Sequence, residues 1–279
     1  MSEILPVGEA AEIVVAWVNE TFGWLLDAIT EAMNILVNGF QDGMAAVPPL
    51  IFIAVFAVLA WLLTHRNIKI VLMSIFGLLF IYLLDLWAET LLTLALVLTS
   101  AVVTLAIGIP LGILASRSSL VDAALRPLLD LMQTMPSFVY LIPAVIFFGL
   151  GNVPGMIATI IFAMPPAIRL TNLGIRQVPV DLIEVSEAFG ATQWQKLVKV
   201  QLPVALPTIM AGVNQCIMLA LSMTVIAAMI GAAGLGLNVL MGIQRVDIGG
   251  GFEAGLCIVI IAIILDRITQ NVVRSGQDQ

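Results

Sequence analysis

Charge is scarce in this 279-residue chain. Asp, Glu, Lys and Arg make up 10% of it and hydrophobic residues 61%, whereas soluble domains carry about 25% charged residues. An ordinary soluble enzyme is excluded, and no nucleic-acid partner is expected. Cysteine is nearly absent: Cys216 and Cys257 each lie in an apolar run, where a free thiol behaves as a small hydrophobe, so neither a disulfide nor a metal site is expected. No Lys or Arg precedes Arg66, so the basic start of a cleaved signal peptide is missing and the first hydrophobic segments are expected to remain. A G-x-x-x-x-G-K-[ST] phosphate loop is missing as well. The glycine-rich stretch from Gly231 to Gly236 has no lysine after it and reads as the end of a span turning into a loop. If transport is active, its energy comes from a partner.

Inside the apolar runs charge vanishes: residues 90–116, 131–150 and 207–244 carry none. An ionisable residue at the middle of a membrane helix costs about 2.5–3.5 kcal/mol and is kept where protons, ions or voltage drive a protein. A proton-coupled carrier or voltage sensor is hard to build from such spans, and seven spans without a visible duplicated half give sodium coupling little support.

What the chain has in abundance is long hydrophobic runs. Seven of them, 47–64, 68–87, 90–116, 131–150, 153–170, 207–231 and 253–270, reach the roughly 17–25 residues that cross a hydrocarbon core as helix. They lack the period-two alternation of a membrane barrel, so the expected fold is an all-α polytopic membrane protein with about seven transmembrane helices. If the loop carrying His65, Arg66 and Lys69 is cytoplasmic, alternation puts ten of the 11 Lys and Arg inside, with Arg245 alone outside. The positive-inside rule then sets the N-terminus outside and the C-terminus inside. Residues 1–46 form an extracytoplasmic segment, 47–270 the membrane domain and 271–279 a cytoplasmic tail. Within the first segment, Val18, Phe22, Leu25, Ile29, Met33, Leu36 and Phe40 recur at helical spacing opposite Glu20, Asp27, Glu31, Asn34 and Asn38, which predicts an amphipathic helix at the outer interface.

The largest inside loop, 171–206, is well punctuated. Asp181 followed by Glu184 has the form of a capping box after Pro179, Gly190 sits where a left-handed residue would stop a short helix, and Thr192 with Gln195 repeats the box before Pro203 ends a second helix. Ile183, Phe189, Trp194, Leu197 and Val198 give this hairpin apolar surface, for docking on another protein or for packing back on the span ends.

Here the sequence resembles the E-A-A loop of the membrane subunits of ABC importers. Glu184-Val185-Ser186, Gly190 and Val200-Gln201-Leu202-Pro203 match its spacing, with Val185 and Ser186 standing for alanines and Val200 for isoleucine. The stretches Gln133–Pro143, Phe148–Gly155 and Pro207–Gln215 narrow the likeness to the permease subunits for glycine betaine and related osmoprotectants, over roughly residues 85–270. The resemblance implies a type I importer permease acting as two copies in membrane lipid. A cytoplasmic ATPase would bind ATP and Mg, none being held here, and an extracytoplasmic solute-binding protein would deliver the solute. It implies that Asp181, Glu184, Ser186, Glu187, Phe189, Gly190, Ala191, Trp194, Leu202 and Pro203 form the surface coupled to the ATPase.

Two polar stripes are pathway candidates: Thr90, Thr93, Ser100 and Thr104 on the third span, and Met210, Asn214, Met218 and Ser222 on the sixth. Small hydroxyls and amides serve equally as packing surfaces between membrane helices. Trp17, Trp24, Trp61 and Trp87 fall near predicted interfaces, an aromatic belt and not a cage for a quaternary ammonium. An ABC permease for an amino acid, choline or carnitine remains a rival, and an ion-coupled carrier or passive channel is a rival from another class.

Overall fold

The computed structural model describes residues 7–64 and 67–274. His65 and Arg66 of the first basic loop, the first six residues and the last five of the expected tail lie outside the described residues. Among the described residues twelve α-helices follow one another: α1 (Val7–Ala45), α2 (Pro49–Leu63), α3 (Ile68–Leu83), α4 (Trp87–Arg117), α5 (Ser119–Thr134), α6 (Leu141–Phe148), α7 (Asn152–Arg176), α8 (Val180–Ala188), α9 (Gln193–Lys196), α10 (Leu202–Ala228), α11 (Leu235–Arg245) and α12 (Ile248–Arg274). A 3-10 turn precedes α6 at Ser137–Tyr140, and a wide π turn at Leu197–Gln201 joins α9 to α10.

Among the described residues four stretches are long and apolar enough to cross a membrane singly: Trp87–Arg117, Asn152–Arg176, Gln193–Ala228 and Ile248–Asn271. Two more arise only if bent pairs count as spans, Glu12–Ala45 with Pro49–Leu63 at 103° and Ser119–Thr134 with Ser137–Phe148 at 109°. The seven spans expected are therefore not all present as straight helices. α2 and α3 hold 15 and 16 residues, and the run 131–150 is broken near its start. Pro136 is the cause: its ring disfavours helical geometry at the preceding residue, and Met135 is extended at φ −69°, ψ 134°. Because Pro136 has no N–H, the Met132 carbonyl loses its helical partner. The Tyr140 hydroxyl donates to that carbonyl at 2.5 Å instead.

α7 lies against both α4 and α10. The close approach to α4 rests on Gly108 and Gly112, a small-x-x-x-small pair that lets helix backbones meet in a membrane. A Cβ at Gly108 would stand 2.6 Å from the Ala167 Cβ, and one at Gly112 2.6 Å from the Thr171 Cβ, so only glycine permits this contact. A larger apolar cluster joins α2, α3, α4, α10 and α12 through Ile53, Ile81, Val97, Leu221 and Ile264.

α1 is helical as its periodicity predicts, but its buried stripe is rotated. Met33 and Val37 are buried against Ala95, Leu96, Val153 and Met156, with Ile29, Phe40 and Met44 packed alongside, while Leu25 and Leu36 are exposed. Five residues spaced four, four, three and four apart form the true contact line, and sequence alone did not distinguish it from the neighbouring apolar sector. Of the tryptophans expected in a belt, Trp17 and Trp24 are exposed on α1. Trp87 instead meets Phe52 and Tyr82 edge-on, with ring centroids 5.5 and 6.2 Å away.

Candidate functional site

The hairpin between α7 and α10 is built by its punctuation. α8 starts two residues earlier than the sequence suggests, because Pro179 and not Asp181 occupies the cap position; Asp181 lies in the first turn and makes no cap. There its carboxylate still favours the positive end of the helix dipole. The far end follows expectation. Gly190 has φ +75°, its N–H bonds to the Glu187 carbonyl at 2.9 Å, and the Ala191 N–H bonds to the Ser186 carbonyl at 3.0 Å. These two bonds define a Schellman stop, which needs a left-handed residue at Gly190. Thr192 then caps α9 in a reciprocal box with Gln195.

Two contacts brace the hairpin: Lys196 donates to Glu187 at 2.5 Å, and the Ser186 hydroxyl turns back to the Ile183 carbonyl at 2.7 Å. Of its apolar residues, Leu197 packs inward with Ile175, Ala205 and Ile209, and Leu202 flanks that cluster. Phe189 and Trp194 point outward, 88% and 68% exposed, on either side of Gly190. Glu184 is exposed, Ala191 partly so. Packing back on the span ends thus holds for Leu197, while Phe189 and Trp194 are left uncovered.

Pro203 does not end the second helix, as expected, but sits in the first turn of α10. The helical path runs on because the turn Leu197–Gln201 is widened, with the Leu202 N–H reaching the Leu197 carbonyl. That widening makes room for the proline ring and absorbs its missing N–H.

The pathway candidates separate. Thr90, Thr93, Ser100 and Thr104 share a face of α4, and all are buried. The Thr93 hydroxyl donates to the Glu89 carbonyl at 2.7 Å and accepts from the Leu235 N–H at 2.8 Å, which fixes α11 on α4. Ser100 borders a cavity of about 20 Å³ together with Asn152, Thr159 and Thr224, room for one water. On α10, Asn214 donates to Asp266 at 2.8 Å and accepts from Thr269 at 2.5 Å, so its amide is spent on α12. Met210 and Met218 are half-buried, and Ser222 is exposed, donating to the Met218 carbonyl at 2.9 Å.

Sequence reading missed a second polar centre. Asp122 in the first turn of α5 accepts from Arg126 at 2.7 Å and from Asn172 at 2.8 Å, and faces Arg176 at 3.4 Å. Arg169 pairs with Asp130 on the same seam. The signal was legible as two i, i+4 pairs, Asp122 with Arg126 and Asn172 with Arg176, but not that they meet.

Apolar helices packed through small residues, four of them long enough to cross a membrane singly, define a multi-pass membrane protein with an exposed, punctuated hairpin. The family described as "Binding-protein-dependent transport system inner membrane component" matches residues 108–275. The chain is 51% identical to the glycine betaine transport system permease protein OpuAB of Bacillus subtilis over 96% of this chain and 94% of that one. It is 53% identical to the glycine betaine/carnitine transport permease protein GbuB of Listeria monocytogenes over 89% of each. Against the glycine betaine/proline betaine transport system permease protein ProW of Escherichia coli it is 49% identical, covering 95% of this chain and 76% of that one. In fold it is similar to a chain of the MetNI methionine ABC transporter in an inward-facing conformation, with a TM-score of 0.62 at 22% identity over 68% of this chain and 95% of that one. The chain belongs to the binding-protein-dependent transport system inner membrane components.

Proposed function

We propose that this chain is the permease subunit of an ATP-driven importer for glycine betaine or a closely related compatible solute. The observation that carries the substrate class is about half identity, over most or nearly all of the chain, to three permeases named for glycine betaine. The charge-free spans support it, because a mostly neutral lining suits a zwitterion better than an ion with net charge.

Two copies form the passage, a binding protein delivers solute on the outside, and ATP and Mg are held by a separate ATPase on the inside. The hairpin is the coupling surface: Phe189 and Trp194 enter a groove of the ATPase, flanked by Asp181, Glu184 and Glu187, and closure of the ATPase pulls on α8. Ser186, Ala191, Leu202 and Pro203 set the shape of that surface from behind. In support of the orientation, Arg117, Arg176 and Lys196 lie where α4, α7 and the hairpin meet, Arg117 reaching the Gln193 carbonyl and Arg176 the Ala115 carbonyl. A basic end belongs on the cytoplasmic side. The stripe Met210, Met218 and Ser222 on α10 is the part of the pathway set open to a passage; Thr93 and Asn214 tie together the helices that frame it, with Ser100 and Thr104 buried on α4.

Co-purification tests the coupling surface. The ATPase is expected to be retained by the unaltered chain and lost when Phe189 and Trp194 are both changed to Ser. Retention by the double variant contradicts the reading.

A further inference from the structure

α5 is held to the bundle in an unusual way. From residue 119 to residue 128, Asp122 is its single buried side chain, at 7% exposure. Leu120 and Leu128 are exposed, and fully buried apolar contact begins only at Leu129, which packs with Met132 and Ile168. Leu125 is partly buried against that cluster, and the polar contacts of the first half converge on one carboxylate.

Its partners lead directly to the hairpin. Asn172 and Arg176 are in the last turns of α7, and only Gln177, Val178 and Pro179 separate Arg176 from α8. Arg176 makes three contacts at once: its Nε donates to the Asn172 side chain at 2.8 Å, its Nη2 donates to the Ala115 carbonyl at 2.7 Å, and the same nitrogen faces Asp122. The end of α4, the start of α5 and the end of α7 thus meet at one ion cluster. Beyond it α5 runs to the break at Pro136 and on to α6. A directional polar network between packed helices is a physical route for coupling a movement at one element to another.

We propose that Asp122 is a positioning residue for transport: it makes α5, and through it the bent α5–α6 element, follow the end of α7 when the hairpin is moved. The Arg169–Asp130 pair lies farther along the same α5–α7 seam. This rests on the reading of the hairpin as the coupling surface.

The test uses the whole complex, permease with ATPase and binding protein, in vesicles, and reads solute imported per ATP hydrolysed at equal amounts of assembled complex. Asp122→Asn keeps the shape and removes the charge; Arg176→Lys keeps the charge and removes the fork. Both are expected to lower solute per ATP by about fivefold or more while binding-protein-stimulated hydrolysis continues. Asp122→Glu, which keeps the charge, is expected to recover most of the ratio. An unchanged ratio in Asp122→Asn overturns the proposal, and so does loss of the assembled complex in all three variants, which would make the cluster a folding element only. Gly190→Asp, measured beside them, separates the two levels. If it transports normally, the hairpin reading fails; if it is uncoupled while Asp122→Asn is not, only the role of Asp122 fails.

Discussion

At Gly190 the backbone requirement and the surrounding space can be told apart. Its φ of +75° disfavours any side chain, yet an added Cβ would meet nothing within 4 Å. A left-handed conformation costs an L-residue about 1–2 kcal/mol. Gly190→Ala is therefore expected to lower stability by about that much and leave transport largely intact, as read by the unfolding midpoint and by uptake. Gly190→Asp has the same backbone cost, and a larger loss of transport with normal membrane levels would locate its effect at the docked surface. Gly112 behaves oppositely. Its Cβ would collide with Thr171, and overpacking costs about 1–3 kcal/mol, so Gly112→Leu is expected to reduce the amount of folded protein in the membrane, whatever the state of the hairpin. Normal amounts would contradict the close α4–α7 contact.

Elements were legible where punctuation was local. The Thr192–Gln195 box and the stop at Gly190 need only neighbours in sequence, and both stand in the structure. Elements were misread where a proline acted through its surroundings. Pro136 breaks its helix and Pro203 does not, although each was expected to mark a helix boundary or bend. The difference is positional: Pro203 falls in a first turn after a widened one, whereas Pro136 follows two full turns beyond Leu129 and the freed carbonyl finds Tyr140. Removing that hydroxyl leaves a buried carbonyl unpaired, which costs about 1–3 kcal/mol. Tyr140→Phe is expected to lower the thermal midpoint of the detergent-solubilised protein, and an unchanged midpoint would mean the bent element is held by packing alone. The polar hub at Asp122 and the Asn214–Asp266–Thr269 cluster escaped notice because partners 50 to 55 positions apart leave no local pattern.

For the molecule as a whole, the helical class was evident from the long apolar runs and the family from the spacing around Gly190, because both are written in consecutive residues. The span count was not, since a bent pair and a straight helix share one hydropathy profile. The proposed sidedness rests on the distribution of the 11 Lys and Arg. With Cys216 and Cys257 buried, an impermeant thiol reagent added outside intact cells is expected to label Asp85→Cys and not Asp181→Cys. The reverse pattern would invert the topology.

The central claim is ATP-driven import of a betaine-type zwitterion through this chain. Its most direct measurement is accumulation of labelled glycine betaine by vesicles that contain the permease, its ATPase and its binding protein, with ATP supplied on the ATPase side or withheld. The account predicts uptake against a gradient with ATP, none without it, and loss of uptake in Gly190→Asp. Equal uptake with and without ATP, or by vesicles holding this chain alone, would contradict it.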